Sequence, residues 1–258
     1  MTLSRFDGPA DAPVVVLSNS LGTTLEMWEP QVPALSERFG VLRYDHPGHG
    51  GSRDDTPVRS VEGLARGVLK LLDQRGFQRV SFCGLSLGGA VGMWLAMNEP
   101  ERIDRLALAC TSARFGLREN WLARAATVRE EGVEAVADAV SLLWFTPRTH
   151  REQPALVAEF REMMVSADSE GYAGCCEALG DWDPGDTLTG IRTPTLVLAG
   201  SEDPATPPAQ GELIASLIPG ARLSVLEGAG HLANVEEPVA FNRLLLDHLT
   251  APSSLEVR

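Results

Sequence analysis

Short apolar, β-branched runs recur along the chain, and between them lie longer stretches in which apolar positions return with a helical period. The runs at 14–17, 41–44, 80–83, 103–109, 195–199 and 223–226 read as strands. They are predominantly apolar, which suits a sheet covered on both faces. Helical period marks 29–38, 61–75, 87–98, 209–217 and 238–249. Strand and helix alternate, so crossover connections follow, and the expected fold is α/β, with a mostly parallel central sheet and helices on both faces.

One stretch breaks the alternation. From Phe115 to Leu188 the period is helical, with Trp121, Trp144, Phe160 and Tyr172 spread through it and no convincing strand. Residues 115–188 are therefore expected to form a helical cap, or lid, inserted into a core domain built from 1–114 and 189–250, and 251–258 reads as a frayed tail. An ordinary helical half of a two-domain chain is the alternative.

Composition narrows the partners. Of 258 residues, 22 are Lys or Arg and 35 are Asp or Glu, a formal charge of -13 that argues against nucleic acid and acidic membrane surfaces. A small molecule is the better expectation, and if it is an anion, a local cation or a fan of backbone donors must hold it. Cys83, Cys110, Cys175 and Cys176 show no C-x-x-C spacing, so a reduced, cytoplasmic chain without a disulfide framework or a metal site is expected. No signal-peptide pattern opens the sequence, and no apolar run approaches the roughly 20 residues that span a bilayer.

The chemistry concentrates at three places. Gly84-Leu-Ser-Leu-Gly-Gly89 lies between the strand at 80–83 and the helix starting near Leu87, the strand–turn–helix context in which a G-x-S-x-G turn lifts a serine hydroxyl clear as nucleophile. A serine hydroxyl is a weak nucleophile at neutral pH and needs a base. Of the five histidines, His231 sits in Gly228-Ala-Gly-His, past the last strand, at the sheet end where open α/β sheets place their sites. His49 in Gly48-His-Gly-Gly reads better as a turn or supporting residue, His46 similarly, and His150 and His248 as solvated. The orienting acid should follow a strand and fall between serine and histidine in chain order; Asp203 does both, and is preferred to its neighbour Glu202. Ser86, His231 and Asp203 are thus the expected catalytic residues. The developing oxyanion needs two amides, expected from Leu87, just after the nucleophile, and from Leu21 in the loop Ser18-Asn-Ser-Leu-Gly-Thr-Thr24.

Three stretches carry a resemblance: Leu17-Ser-Asn-Ser-Leu-Gly-Thr-Thr-Leu-Glu-Met-Trp28, Arg43-Tyr-Asp-His-Pro-Gly-His-Gly-Gly-Ser52 and Cys83-Gly-Leu-Ser-Leu-Gly-Gly-Ala90. The chain resembles the α/β-hydrolase superfamily and, within it, the 3-oxoadipate enol-lactonases. The resemblance implies a small anionic lactone as substrate, 3-oxoadipate as product, and neither metal nor organic cofactor. Other carboxylester hydrolysis, carbon–carbon bond hydrolysis, cofactor-free perhydrolysis and a non-catalytic ligand receptor are the alternatives on the same fold. For the substrate, Asn19, Arg114 and Trp144 are the candidate contacts; Arg118 and Arg124 rival Arg114, and Asn19 could instead brace its own loop. Two departures from the family pattern stand out. Many relatives open with a β-hairpin ahead of the first core strand, whereas here only Thr2 to Phe6 precede Gly8-Pro9, so at least one edge strand is expected to be missing. Pro47 stands where many relatives have arginine, which leaves the support of its loop unexplained.

Overall fold

The computed structural model describes residues 2–52 and 57–251; most of the expected tail, 252–258, lies outside the described residues. In chain order the elements are β1 (Ser4–Asp7), β2 (Val14–Ser18), α1 (Val32–Leu35), β3 (Gly40–Tyr44), α2 (Val61–Arg75), β4 (Val80–Leu85), α3 (Leu87–Asn98) and β5 (Ile103–Ala109). Five helices follow: α4 (Arg118–Glu131), α5 (Glu134–Trp144), α6 (Pro147–Glu152), α7 (Pro154–Val165) and α8 (Ser169–Gly180). The chain then closes with β6 (Thr195–Gly200), α9 (Pro208–Leu217), β7 (Arg222–Leu226), α10 (Ala233–Glu236) and α11 (Pro238–Leu249).

The seven strands form one sheet in the order β1-β3-β2-β4-β5-β6-β7, parallel except for β1. Strands β2, β3, β4 and β6 are buried at every position, as their predominantly apolar runs favour. The chain runs outward from β2 to β3 and then crosses back to β4, so strand order reverses between β2 and β4. The crevice at their carboxyl ends is where an open α/β sheet receives a ligand.

One edge strand forms near the N-terminus, where a hairpin would supply two: β1 pairs antiparallel with β3, Phe6 opposite Leu42. Four residues are too few to show a period, which is why the sequence pattern passes over it. Its anchor is electrostatic. Arg43 on β3 is buried, and its guanidinium reaches Asp7 of β1 and Glu29, each at 2.8 Å.

The helical stretch α4–α8 leaves the sheet after β5 and returns before β6. Its apolar side chains join those of the sheet in one continuous core. Contact with the sheet domain is close: Gly48 and Gly171 of α8 approach so nearly that a methyl on either would collide with the other's Cα, and the Asp168 amide donates to the Gly48 carbonyl at 2.7 Å. Among the described residues no helix is long and apolar enough to cross a membrane.

Candidate active site

Ser86 sits between β4 and α3 with φ 57° and ψ −112°, left-handed backbone in a non-glycine residue. Such a conformation costs on the order of 1–3 kcal/mol and persists only where the surroundings over-determine it. Here they do. The Ser86 amide donates to the Ala109 carbonyl at 3.0 Å, its own carbonyl accepts from the Thr111 hydroxyl at 2.7 Å, and the amides of Gly89 and Ala90 close the first turn of α3 onto that carbonyl. The glycines make the turn sterically feasible: a methyl at Gly84 would strike the Gly88 carbonyl, and one at Gly88 the Ser18 carbonyl. The serine side chain lines a cavity of about 250 Å³.

His231 lines the same cavity from the loop after β7. Its Nδ1 lies 2.9 Å from Asp203 Oδ2, and both residues are buried. The carboxylate of Asp203 is saturated: Oδ1 accepts from the amides of Ala205 (2.8 Å) and Thr206 (2.9 Å), while Oδ2 accepts from the Thr206 hydroxyl (2.6 Å) as well as from the imidazole. Burial alone would raise the carboxyl's pKa, but the imidazole and the Thr206 donors outweigh it, so Asp203 is held below the ordinary carboxylate range. The neighbouring Glu202 is exposed. Thr206 has no motif to announce it; an Asp followed three residues later by Thr in a loop is the only trace, and it marks an Asx-type turn.

The loop after β2 supplies Ser20 and Leu21 to the cavity wall. Among the described residues, the amides of Leu21 and Leu87 have no protein acceptor, although those of Ser20, Gly22, Thr23 and Gly88 are all engaged. Asn19 does not reach the cavity. Its side chain is buried and bonded at both ends, donating to the Tyr44 carbonyl and accepting from the Trp28 indole, each at 2.9 Å. It braces the loop and makes no contact available to a ligand, because both ends of its amide already have partners.

His49 completes that brace. Its Nε2 accepts from the Gly22 amide and its Nδ1 donates to the Pro47 carbonyl, both at 3.0 Å, and burial lowers its pKa to about 4, which keeps the accepting tautomer. The Pro47 loop is therefore supported without an arginine. Asp45 adds two contacts, accepting from the Leu25 amide at 2.7 Å and the Gly51 amide at 3.0 Å. His46, also buried and lowered to about 3, reaches the Asn19 carbonyl. His248 is buried as well, not solvated as its sequence context suggests, because it lies on the inner face of α11.

The helices above the sheet close the cavity with Trp121, Arg124, Trp144 and Tyr172, joined by Phe115 from the loop ahead of α4. Trp144 lines it while packing edge-on against Phe160 at 6.5 Å, so it serves wall and core together. Arg114 does not line it. Its side chain is exposed and lies 3.9 Å from Asp183, and Arg118 likewise pairs with Asp181 outside. Arg124 is the one lining guanidinium among the described residues; it stands over the Trp121 ring at 4.8 Å from the centroid. The reason is helical phase: Arg118 and Arg124 share α4, but six residues apart they face different sides of it.

A serine in a strained strand–helix turn, a carboxylate-bound imidazole and seven strands in this order define an α/β-hydrolase, and residues 13–238 match the model of the alpha/beta hydrolase fold family. The chain belongs to that family and is a hydrolase. Within it, the chain is 40% identical to 3-oxoadipate enol-lactonase 2 of Acinetobacter baylyi, over 91% of this chain and 88% of that one. It superposes on the crystal structure of the enol-lactonase from Burkholderia xenovorans LB400 with a TM-score of 0.94 at 45% identity, covering 96% of each chain. It is also 34% identical to a protein of Pseudomonas savastanoi pv. phaseolicola provisionally named a carbamate hydrolase, RutD, over 94% of this chain and 95% of that one.

Proposed function

We propose that this hydrolase opens a small carboxylated lactone, 3-oxoadipate enol-lactone, to 3-oxoadipate in the cytoplasm, as a step of protocatechuate and catechol breakdown. Ser86 is the nucleophile, His231 the general base and Asp203 the group that orients the imidazole. The observation that carries the reading is a single cavity lined by that serine, that imidazole and Arg124, the one arginine among its lining residues. Identity to enol-lactonases over nearly the whole chain supports the choice of substrate.

In this mechanism the Ser86 hydroxyl attacks the ring carbonyl as its proton passes to His231 Nε2. The unengaged amides of Leu21 and Leu87 receive the oxyanion, helped by the N-terminal end of α3. Collapse breaks the ring C–O bond and the enol oxygen takes the proton from His231; because the ester is cyclic, the leaving group stays attached to the acyl chain. Water, deprotonated by His231, then releases the acid from Ser86. Arg124 holds the substrate carboxylate and Trp144 walls the ring. Residues 115–188 serve as the lid that encloses the substrate over the core formed by 1–114 and 189–250. All four cysteines are free and buried, which accords with a reducing compartment.

The relative named for carbamate hydrolysis supports a second reading, in which the same residues attack a carbamate carbonyl. The two separate on steady-state turnover of the enol-lactone against that of a carbamate, and the contact to the lactone's carboxylate is tested at Arg124. Replacing Arg124 by Gln removes a hydrogen-bonded charge worth about 1.5–3 kcal/mol, so KM for the anionic lactone should rise about 10- to 150-fold while turnover of a neutral short-chain ester changes little. Equal effects on both substrates, or no steady-state turnover of the enol-lactone by the unmodified enzyme, would remove the lactonase reading.

A further inference from the structure

Glu236 is a buried carboxylate close to the base that the chemistry above does not use. It ends α10, the single turn that follows His231, and its side chain folds back beneath the loop. Oε2 accepts from the Gly230 amide at 2.6 Å, and Oε1 accepts from both the amide (2.9 Å) and the hydroxyl (2.8 Å) of Thr146. Thr146 caps the N-terminus of α6 and stands two residues beyond Trp144, a wall of the cavity. On the other flank of the base, the Leu232 amide donates to the Trp144 carbonyl at 3.0 Å. Residues 144–146 thus grip His231 from both sides, directly at Leu232 and through Glu236 at Gly230. Gly230 has no slack, since a methyl there would stand 2.9 Å from Glu236 Oε2 and 3.2 Å from the Trp144 carbonyl oxygen.

We propose that Glu236 is a positioning residue that locks the His231 loop to the Trp144–Thr146 junction, so that the base and the cavity wall are set as one unit. The inference rests on His231 being the base. Only a carboxylate fills this role. Both of its oxygens face N–H donors, Gly230 on one side and Thr146 on the other, so the isosteric glutamine sets its own NH₂ against a donor in either orientation. The residue acts through His231 and not on the substrate, and the Trp144 wall keeps its own packing against Phe160, so loosening it lowers the rate of the chemical step while leaving ground-state binding in place.

The test is steady-state kinetics of Glu236→Gln on a neutral chromogenic ester, normalised to the folded fraction measured by circular dichroism. A small displacement of a catalytic group can cost on the order of a hundredfold; kcat is expected to fall about 10- to 100-fold and KM to move less than about threefold. Thr146→Val, which deletes the hydroxyl contact and keeps the amide, should lower kcat in the same direction by less, and it carries the test if Glu236→Gln does not fold. Unchanged kcat in the folded variants, or a loss that vanishes on normalisation, overturns the inference. His231→Ala run alongside separates the two claims. Loss of turnover there with unchanged kcat in Glu236→Gln overturns the clamp alone, whereas persistent turnover in His231→Ala overturns the assignment of the base.

Discussion

At the scale of single residues, the site is a set of groups whose remaining bonding capacity has been removed so that only reactive atoms are left. Asp203 shows this best, with both oxygens occupied by Thr206, Ala205 and His231. Asn in its place keeps the shape but presents an amide NH₂ to donors, and it favours the wrong imidazole tautomer. Asp203→Asn is expected to lower kcat by about 10⁴-fold with the fold intact, a loss measurable on any ester the enzyme turns over; a decrease of less than about tenfold would mean that the carboxylate does not orient the base. That Ser86, Asp203 and His231 come together was legible from sequence because each follows a recognisable apolar run at the same end of the sheet. Thr206 and Glu236 were not, since hydrogen bonds between distant loops leave no periodic trace, whereas Asn19 was readable as a brace of its loop but not the Tyr44 and Trp28 partners it uses. Arg114 was favoured over Arg124 by nearness to a strand end, a criterion that says nothing about the direction a side chain takes.

Among the elements, close backbone approach is the organising feature. The turn at Ser86 requires that α3 start almost against β2, and Gly88 provides the space because a side chain there would meet the Ser18 carbonyl. Backbone cannot retreat as a flexible side chain can, so Gly88→Ala is expected to destabilise the protein by about 2 kcal/mol or more and to lower activity together with stability. Urea unfolding checks it, and an unchanged midpoint would show that the approach is not tight. The helices α2, α3 and α11 and the strand β5 have the bounds their periodicity predicts. The segment 29–38 does not form one helix: Pro33 permits only the short α1 at Val32–Leu35 after an irregular turn. Between Phe115 and Leu188 the period showed helices but not their packing, because which face of each helix meets the sheet is decided by contacts far apart in sequence.

Across the whole molecule, three histidines are enclosed uncharged. Burial lowers His46 to about 3 and His49 and His248 to about 4. The unfolded chain takes up protons at these sites near the ordinary value of about 6.5, so it binds more protons than the native state at any pH between these limits. Stability is therefore complete above about pH 6.5 and is lost progressively as the pH falls toward 4, with Asp203, whose pKa is also depressed, adding to the loss at the acid end. Denaturant titrations at pH 7.5 and 5 are expected to show a lower midpoint at pH 5; equal midpoints would contradict the burial of neutral imidazoles. Sheet order and the placement of β1 could not be read from the pattern, which records that strands exist and not which neighbours they choose. The central claim is that one serine carries the acyl group. Acid quench during turnover of a slow ester, followed by peptide mass analysis, should find the acyl mass on the peptide containing Ser86, and folded Ser86→Ala should show neither adduct nor turnover. An adduct on another residue, or full activity in that variant, would contradict it.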